Sequence, residues 1–157
     1  MIRKIAIIIF SFSFVLAGFY NNETGWVYEQ STFQAFYMLE SVLVDGEIVE
    51  GDGSGAQDDQ SYCLQNPFSC DVVGAFKDGI CIGWVYADQE GYTTVPAMGD
   101  DGSRPDYADF GDIIELKIYD VTYGSILSLD ISNTSYDADG DFQADFFGEM
   151  PPWVNNE

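Results

Sequence analysis

Histidine is absent from the 157-residue chain. That removes the Ser-His-Asp triad, the Cys-His pair and the ordinary zinc site, each of which needs an imidazole as base or ligand. Basic residues are scarce too: five Lys and Arg stand against 27 Asp and Glu, a net charge of −22. Such a surface repels phosphate backbones and anionic headgroups, which argues against nucleic acid and anionic membranes as partners. It favours cations, a saline medium or a basic partner. No phosphate-cradling glycine loop, dinucleotide fingerprint, internal repeat or heptad is present. With so many carboxylates, any pair could be cast as a glycosidase acid and nucleophile, and none stands out. The inventory points away from an enzyme, and no catalytic residue is assigned.

A long apolar run is also missing. Arg3 and Lys4 head an apolar and serine stretch, Ile5 to Leu16, short of the ~20 residues a spanning helix needs. Val15-Leu16-Ala17 places small residues where a signal peptidase reads, so residues 1–17 read as an export signal. No cysteine follows to carry a lipid anchor. Removing the signal leaves 140 residues (157 − 17), enough for one domain over residues 18–157 with a single core. It also leaves three bases (5 − 2) against 27 acids, a net of −24. The expected location is secreted or cell-surface, with no membrane insertion once the signal is gone.

What is present is β-pattern. Val72 to Phe76 and Ile80 to Tyr86 are apolar runs joined by Lys77-Asp78-Gly79, a hairpin signal. Ile114, Leu116 and Ile118 alternate with Glu115, Lys117 and Tyr119, the period of a half-buried strand. Ile113–Tyr119 and Ser125–Ile131 read as a second hairpin. Thr32 to Val44 reads as one long strand, with Phe33, Ala35, Tyr37 and Leu39 on one face. Asp45-Gly46 turns the chain, and Gly51 to Tyr62 is a loop rich in Gly, Asp, Ser and Gln. Tyr92 to Val95 is a short strand ended by Pro96, and an acidic loop from Gly99 to Asp109 has Arg104 as its one internal counter-charge. Phe19 to Gln30 is an aromatic lead-in with Trp26 and Tyr28 alternating as in an edge strand. Strands at this spacing, with Gly- and Asp-rich turns, predict an all-β antiparallel sandwich of Ig-like or jelly-roll type.

The Val-Gly-Ala-Phe…Gly-Ile-Cys-Ile-Gly hairpin, the Val95-Pro-Ala-Met-Gly-Asp-Asp-Gly102 loop and the Gly-Asp…Lys-Ile-Tyr-Asp strand occur in that order between Asp71 and Asp130. Together they resemble an uncharacterised secreted bacterial β-sandwich module of large surface proteins. The resemblance implies an extracellular module set beside adhesive or anchoring domains, and it carries no site residue. Members often place another cysteine after the hairpin, which this chain lacks, and usually continue past a Pro-Trp-like motif into a further strand. Here Pro151-Pro152-Trp153 is followed only by Val154 to Glu157. Either the chain is a fragment, or the sandwich lacks a final strand and keeps an open edge. In the second case the lead-in Phe19 to Tyr28 of a neighbouring subunit is the natural donor, giving a homo-oligomer through edge strands. In a bacterial protein the sequons at Asn22 and Asn133 are accidental.

Candidate sites remain few. In an exported protein Cys63 and Cys70, spaced across a Pro-containing loop, form a disulfide at the start of the Val72 strand, and Cys81 is left as a buried thiol. Asp137, Asp139 and Asp141 fall at positions one, three and five of a turn that could curl around Ca²⁺. The EF-hand pattern is not met, since Phe142 and Gly148 occupy positions six and twelve. A solvated acidic turn competes with the calcium loop. Asp100-Asp101-Gly102 is a second acidic cluster, read first as turn chemistry. Trp26, Trp84, Trp153 and Tyr92 are the residues to consider for a sugar-stacking platform, although most aromatics of a small sandwich are core. The functional expectation is a non-catalytic extracellular or cell-surface binding or adhesion module, its glycan or protein ligand unspecified. The competing reading is a structural subunit of an extracellular assembly.

Overall fold

The computed structural model describes residues 18–51, 61–90, 92–132, 134–136 and 145–155. The proposed export signal and the Asp137–Asp141 turn lie outside these residues. The protein is all-β with antiparallel pairing, as its alternation predicts. Strands β1 (Gly18–Tyr20) and β2 (Val27–Glu29) form a hairpin, followed by β3 (Gln34–Leu39) and the small hairpin β4 (Leu43–Val44) and β5 (Glu47–Ile48). A single turn of α-helix, α1 (Ser61–Gln65), and a 3-10 turn (Pro67–Ser69) lead into β6 (Val72–Lys77) and β7 (Ile80–Tyr86). Then come β8 (Thr93–Met98), β9 (Glu115–Asp120), β10 (Ser125–Ser128), β11 (Thr134–Tyr136) and β12 (Asp145–Phe147).

The larger sheet runs β10-β9-β6-β7, and β3 pairs with β8 in a second. Strand β6 is central, and Val72 through Phe76 are all buried. That explains why Val-Val-Gly-Ala-Phe reads as a continuous apolar run rather than an alternating one: a strand covered on both faces has no solvent side. One core contains Val73, Ala75, Ile82, Leu116 and Ile118 with Ala35, Val95 and Ala97 of the second sheet. Trp26, Val72, Phe76, Cys81, Tyr86 and the disulfide form the other. The β6–β7 turn is two residues long, with Asp78 and Gly79 both at positive φ (50° and 82°). That is the type I′ geometry whose twist matches the flanking strands, and Asp45-Gly46 repeats it at 51° and 86°.

Several sequence expectations need correction. The Thr32–Val44 strand is two strands, broken between Glu40 and Val42; within β3 Ala35 is buried and Tyr37 and Leu39 half-buried while Phe36 and Met38 are exposed, and Phe33, just before it, is exposed as well. The second hairpin is shorter than its pattern, since Ile113 is exposed, β9 begins at Glu115, and its register with β10 runs only from Lys117 to Asp120. Strand β8 runs through Pro96, which faces Phe36 in the register. The N–H of Gln34 bonds the Asn155 side chain, and the Phe33 carbonyl accepts from Gly99 N–H. Backbone groups alternate along an antiparallel strand, so Phe36, like Gln34, turns its N–H away from β8. Pro96 is therefore in a non-hydrogen-bonded pair, where its missing N–H costs the β3 ladder nothing.

The aromatic lead-in is not a lone strand. It closes on itself as β1–β2, and Trp26 and Tyr28 both bury in this chain's own core, Trp26 edge-on to Phe76 at 5.1 Å. The segment offered as a donor strand is thus engaged within its own chain. Trp153 is buried as well, its indole N–H donating to the Ala97 carbonyl at 3.0 Å. Its own backbone N–H donates to the Asp112 carbonyl and its carbonyl accepts from Gly111 N–H, so the Pro-Pro-Trp segment is a tether rather than a truncated strand.

Candidate functional site

Cys63 and Cys70 are bonded, with Cα atoms 5.7 Å apart, and both are fully buried. The bond joins cysteines seven positions apart, and the middle of the span between them projects outward. Asn66 holds that span in shape: its N–H and its side-chain amide both donate to the Tyr62 carbonyl, and its carbonyl accepts from Ser69 N–H. With both cysteines pulled into the core, Tyr62 and Phe68 stay in solvent, Phe68 at 73% exposure. An exposed phenylalanine beside a buried disulfide is the arrangement least expected from burial alone.

Beside this clip lies an open cleft of about 560 Å³, walled by Tyr62, Phe68, Glu50, Gln89 and Thr122, with Gly51 and Val121 between them. Its walls come from four separate chain segments, and Asp71 joins three of them. The buried Asp71 carboxylate accepts the N–H of Glu50 through Oδ2 and the N–H of Val121 through Oδ1, each at 2.8 Å. The Asp71 backbone N–H donates to the Glu50 carbonyl at 2.7 Å, and its carbonyl accepts from Ala87 N–H at 2.9 Å. Thr122 Oγ1 donates to Glu50 Oε2 at 2.8 Å, closing the rim. Gly51 can have no side chain: a Cβ there would lie 2.1 Å from the Ala87 carbonyl oxygen.

Burial raises the pKa of the Asp71 carboxyl above its ordinary value. The two backbone N–H donors work in the opposite direction, and the Asp120 and Glu50 charges add to the rise. The cleft is lined by the aromatic Tyr62 and Phe68 and by the acidic or polar Glu50, Gln89 and Thr122. Among the described residues its lining has no cation, no imidazole and no thiol. The remaining thiol, Cys81, is buried in strand β7, donates to the Gly83 carbonyl, and is pushed up to about 11 chiefly by desolvation. It is a core residue of the second cluster.

The second acidic cluster is occupied by the chain itself. Asp101 accepts from the hydroxyl and N–H of Ser103 and from the N–H and hydroxyl of Thr32, which hold its carboxyl well below the usual range. Asp100 accepts from Gly102 N–H. Arg104 makes a two-pronged contact with Asp106, pairs with Glu29 and lies 4.3 Å from the Tyr107 ring centre. It is the counter-charge its position suggests. Among the described residues, no group of three acidic or sulfur ligands is placed to hold a metal.

Of the aromatics singled out for a sugar platform, Trp26 and Trp153 are core and Trp84 is half-buried, its indole N–H donating to the Phe19 carbonyl. Only Tyr92 is exposed. The rings that do stand in solvent beside a cleft, Tyr62 and Phe68, were passed over in the sequence. The signal was there: both fall inside or next to a Cys–Cys span, where the flanking cysteines take the interior positions. The architecture defines a disulfide-clipped antiparallel β-sandwich with a surface cleft. Comparison with family models, curated proteins and solved structures found no match to this chain.

Proposed function

We propose that this protein is a non-catalytic, exported surface module that binds a carbohydrate in the cleft over the Cys63–Cys70 clip. The observation that carries the reading is the pairing of solvent-facing Tyr62 and Phe68 with the polar groups of Glu50, Gln89 and Thr122 across one open cleft. Sugar rings present apolar C–H faces and a rim of hydroxyls, so aromatic rings sharing one cleft with a carboxylate and an amide match both. Glu50 makes the preferred ligand neutral or basic, because an acidic sugar would meet a wall with no cation to receive it. The clip supplies rigidity, so little ordering is needed on binding.

The reading is tested by a glycan array probed with the wild-type protein and with Phe68→Ala and Tyr62→Ala. Retention of a neutral or amino sugar by the wild type, and its loss in both variants, is the expected result. Identical retention by Phe68→Ala would remove the cleft from consideration. The calcium expectation at Asp137, Asp139 and Asp141 belongs to the same reading as a stabilising ion. The competing role, a subunit joined to its own kind by edge strands, would bring together two chains of net charge −22 and is the weaker reading.

A further inference from the structure

Among the described residues, β3 pairs with β8 alone and presents its other edge unpaired. Its sequence, Gln34-Ala-Phe-Tyr-Met-Leu39, has no charge, no proline and no glycine. Natural edge strands are normally blunted by a lysine, a proline or a bulge, and β3 has none of these. The N–H groups of Gln34, Phe36 and Met38 point away from β8, as the Gln34–Asn155 bond fixes. Phe36 and Met38 also expose their side chains, at 45% and 56%. Among the described residues only the first of the three outward N–H groups is covered, by the side-chain carbonyl of Asn155 at 2.9 Å. That oxygen stands where the carbonyl of an added strand would stand.

The geometry points to β3 as an acceptor edge for an extended strand of a different, neutral or basic polypeptide, pairing from Phe36 toward Leu39. The choice of occupant follows from charge. A second copy would bring another net −22, and the described cations have partners already. Lys77 is bonded to Asp112, Arg104 to Asp106 and Glu29, and Lys117 to Glu115. Two copies would therefore meet with unmatched acids on both sides, whereas a strand flanked by lysine or arginine meets the exposed Glu40 and a chain of net charge −22 with complementary charge. Main-chain hydrogen bonds give such a complex its affinity, and alternate apolar side chains lying beside Phe36 and Met38 give it register. This inference is independent of the cleft.

Residue-resolved amide exchange tests it, using two synthetic peptides of about ten residues, the length of an ordinary strand with flanks. Both alternate valine and threonine; one has lysines at its ends and the other glutamates. The amides of Phe36 and Met38 should exchange freely in the dilute protein and slow by about tenfold or more with the lysine peptide. The glutamate peptide should leave them unchanged. In Asn155→Ala the protection should extend to the Gln34 amide. If Phe36 and Met38 are already protected in the dilute protein, the edge is covered and the inference fails. Protection that grows with protein concentration in the absence of peptide would make the occupant a second copy and overturn the assignment. Exchange unaffected by either peptide would overturn it outright.

Discussion

Replacing Asp71 is the severest single test of how the cleft is held together. Its carboxylate is buried and accepts two backbone N–H groups, from Glu50 and Val121, that belong to different segments. Asp71→Ala strands both donors, and a buried donor left without an acceptor costs ~1–3 kcal/mol, so the expected loss is ~2–6 kcal/mol. For a domain whose whole stability is ~5–15 kcal/mol, that is a large share. Asp71→Asn keeps one acceptor oxygen and turns an amide toward the other donor, so it should lose ~1–3 kcal/mol. The two variants also separate in pH. The folded-state pKa of Asp71 is raised, chiefly by burial, so the protonated form is favoured in the folded protein. Its contribution to stability is complete below the ordinary aspartate value of ~3.9 and is lost as pH rises through the folded-state value. The difference in unfolding free energy between wild type and Asp71→Asn should therefore shrink as pH rises across that window. Asp106, Asp112 and Glu115 run the other way, being lowered by Arg104, by Lys77 and by Ser128 with Lys117. They are present in both proteins and cancel in the difference. Urea melts of the three proteins across that pH range supply the numbers. An Asp71→Ala variant within ~0.5 kcal/mol of wild type, the scatter of an ordinary surface change, would refute the staple.

Cys63→Ser with Cys70→Ser should cost ~2–3 kcal/mol in a denaturant melt, the value for so short a closed loop, and should weaken glycan retention by freeing Tyr62 and Phe68. Reduction that leaves both stability and retention unchanged would contradict the role given to the clip. The Cys81 thiol, buried and pushed up to about 11, should resist alkylation at pH 8 in the native protein and react fully in denaturant; rapid native labelling would show that the second core is open. Millimolar calcium should raise the melting temperature, since an ion at ~100 times its dissociation constant adds ~2.7 kcal/mol, and Asp139→Asn should remove most of that shift. Equal melting curves in calcium and in chelator would retire the calcium loop.

The strands of the larger sheet were legible because their residues obey local rules. Asp78-Gly79 demands a two-residue turn, the Ile114–Ile118 alternation allows one buried face, and Val72–Phe76 has no polar residue to place in water. The disulfide was legible from the expected export and the spacing of Cys63 and Cys70. Pro96 misled because a proline is read as a strand breaker, whereas its effect depends on whether its position donates to a partner, and that is fixed by pairing with Phe36. Trp26 and Trp153, two of the aromatics to consider for a platform, follow the other expectation for a small sandwich and are core. Beyond the two rings at the Cys–Cys span, the cleft could not be read from local pattern. Glu50, Phe68, Gln89 and Thr122 are strangers in sequence, brought together by one buried carboxylate at Asp71 whose two oxygens find N–H groups 21 and 50 residues away.

If Tyr62 and Phe68, held out by the clip, line a carbohydrate site, a nuclear magnetic resonance titration of the protein with the sugar retained on the array tests it most directly. The ring resonances of Tyr62 and Phe68 and the side-chain amide of Gln89 should shift together along one binding curve, while the amides of β3 stay fixed. Shifts confined to residues outside the cleft, with both rings unmoved at saturation, would contradict it.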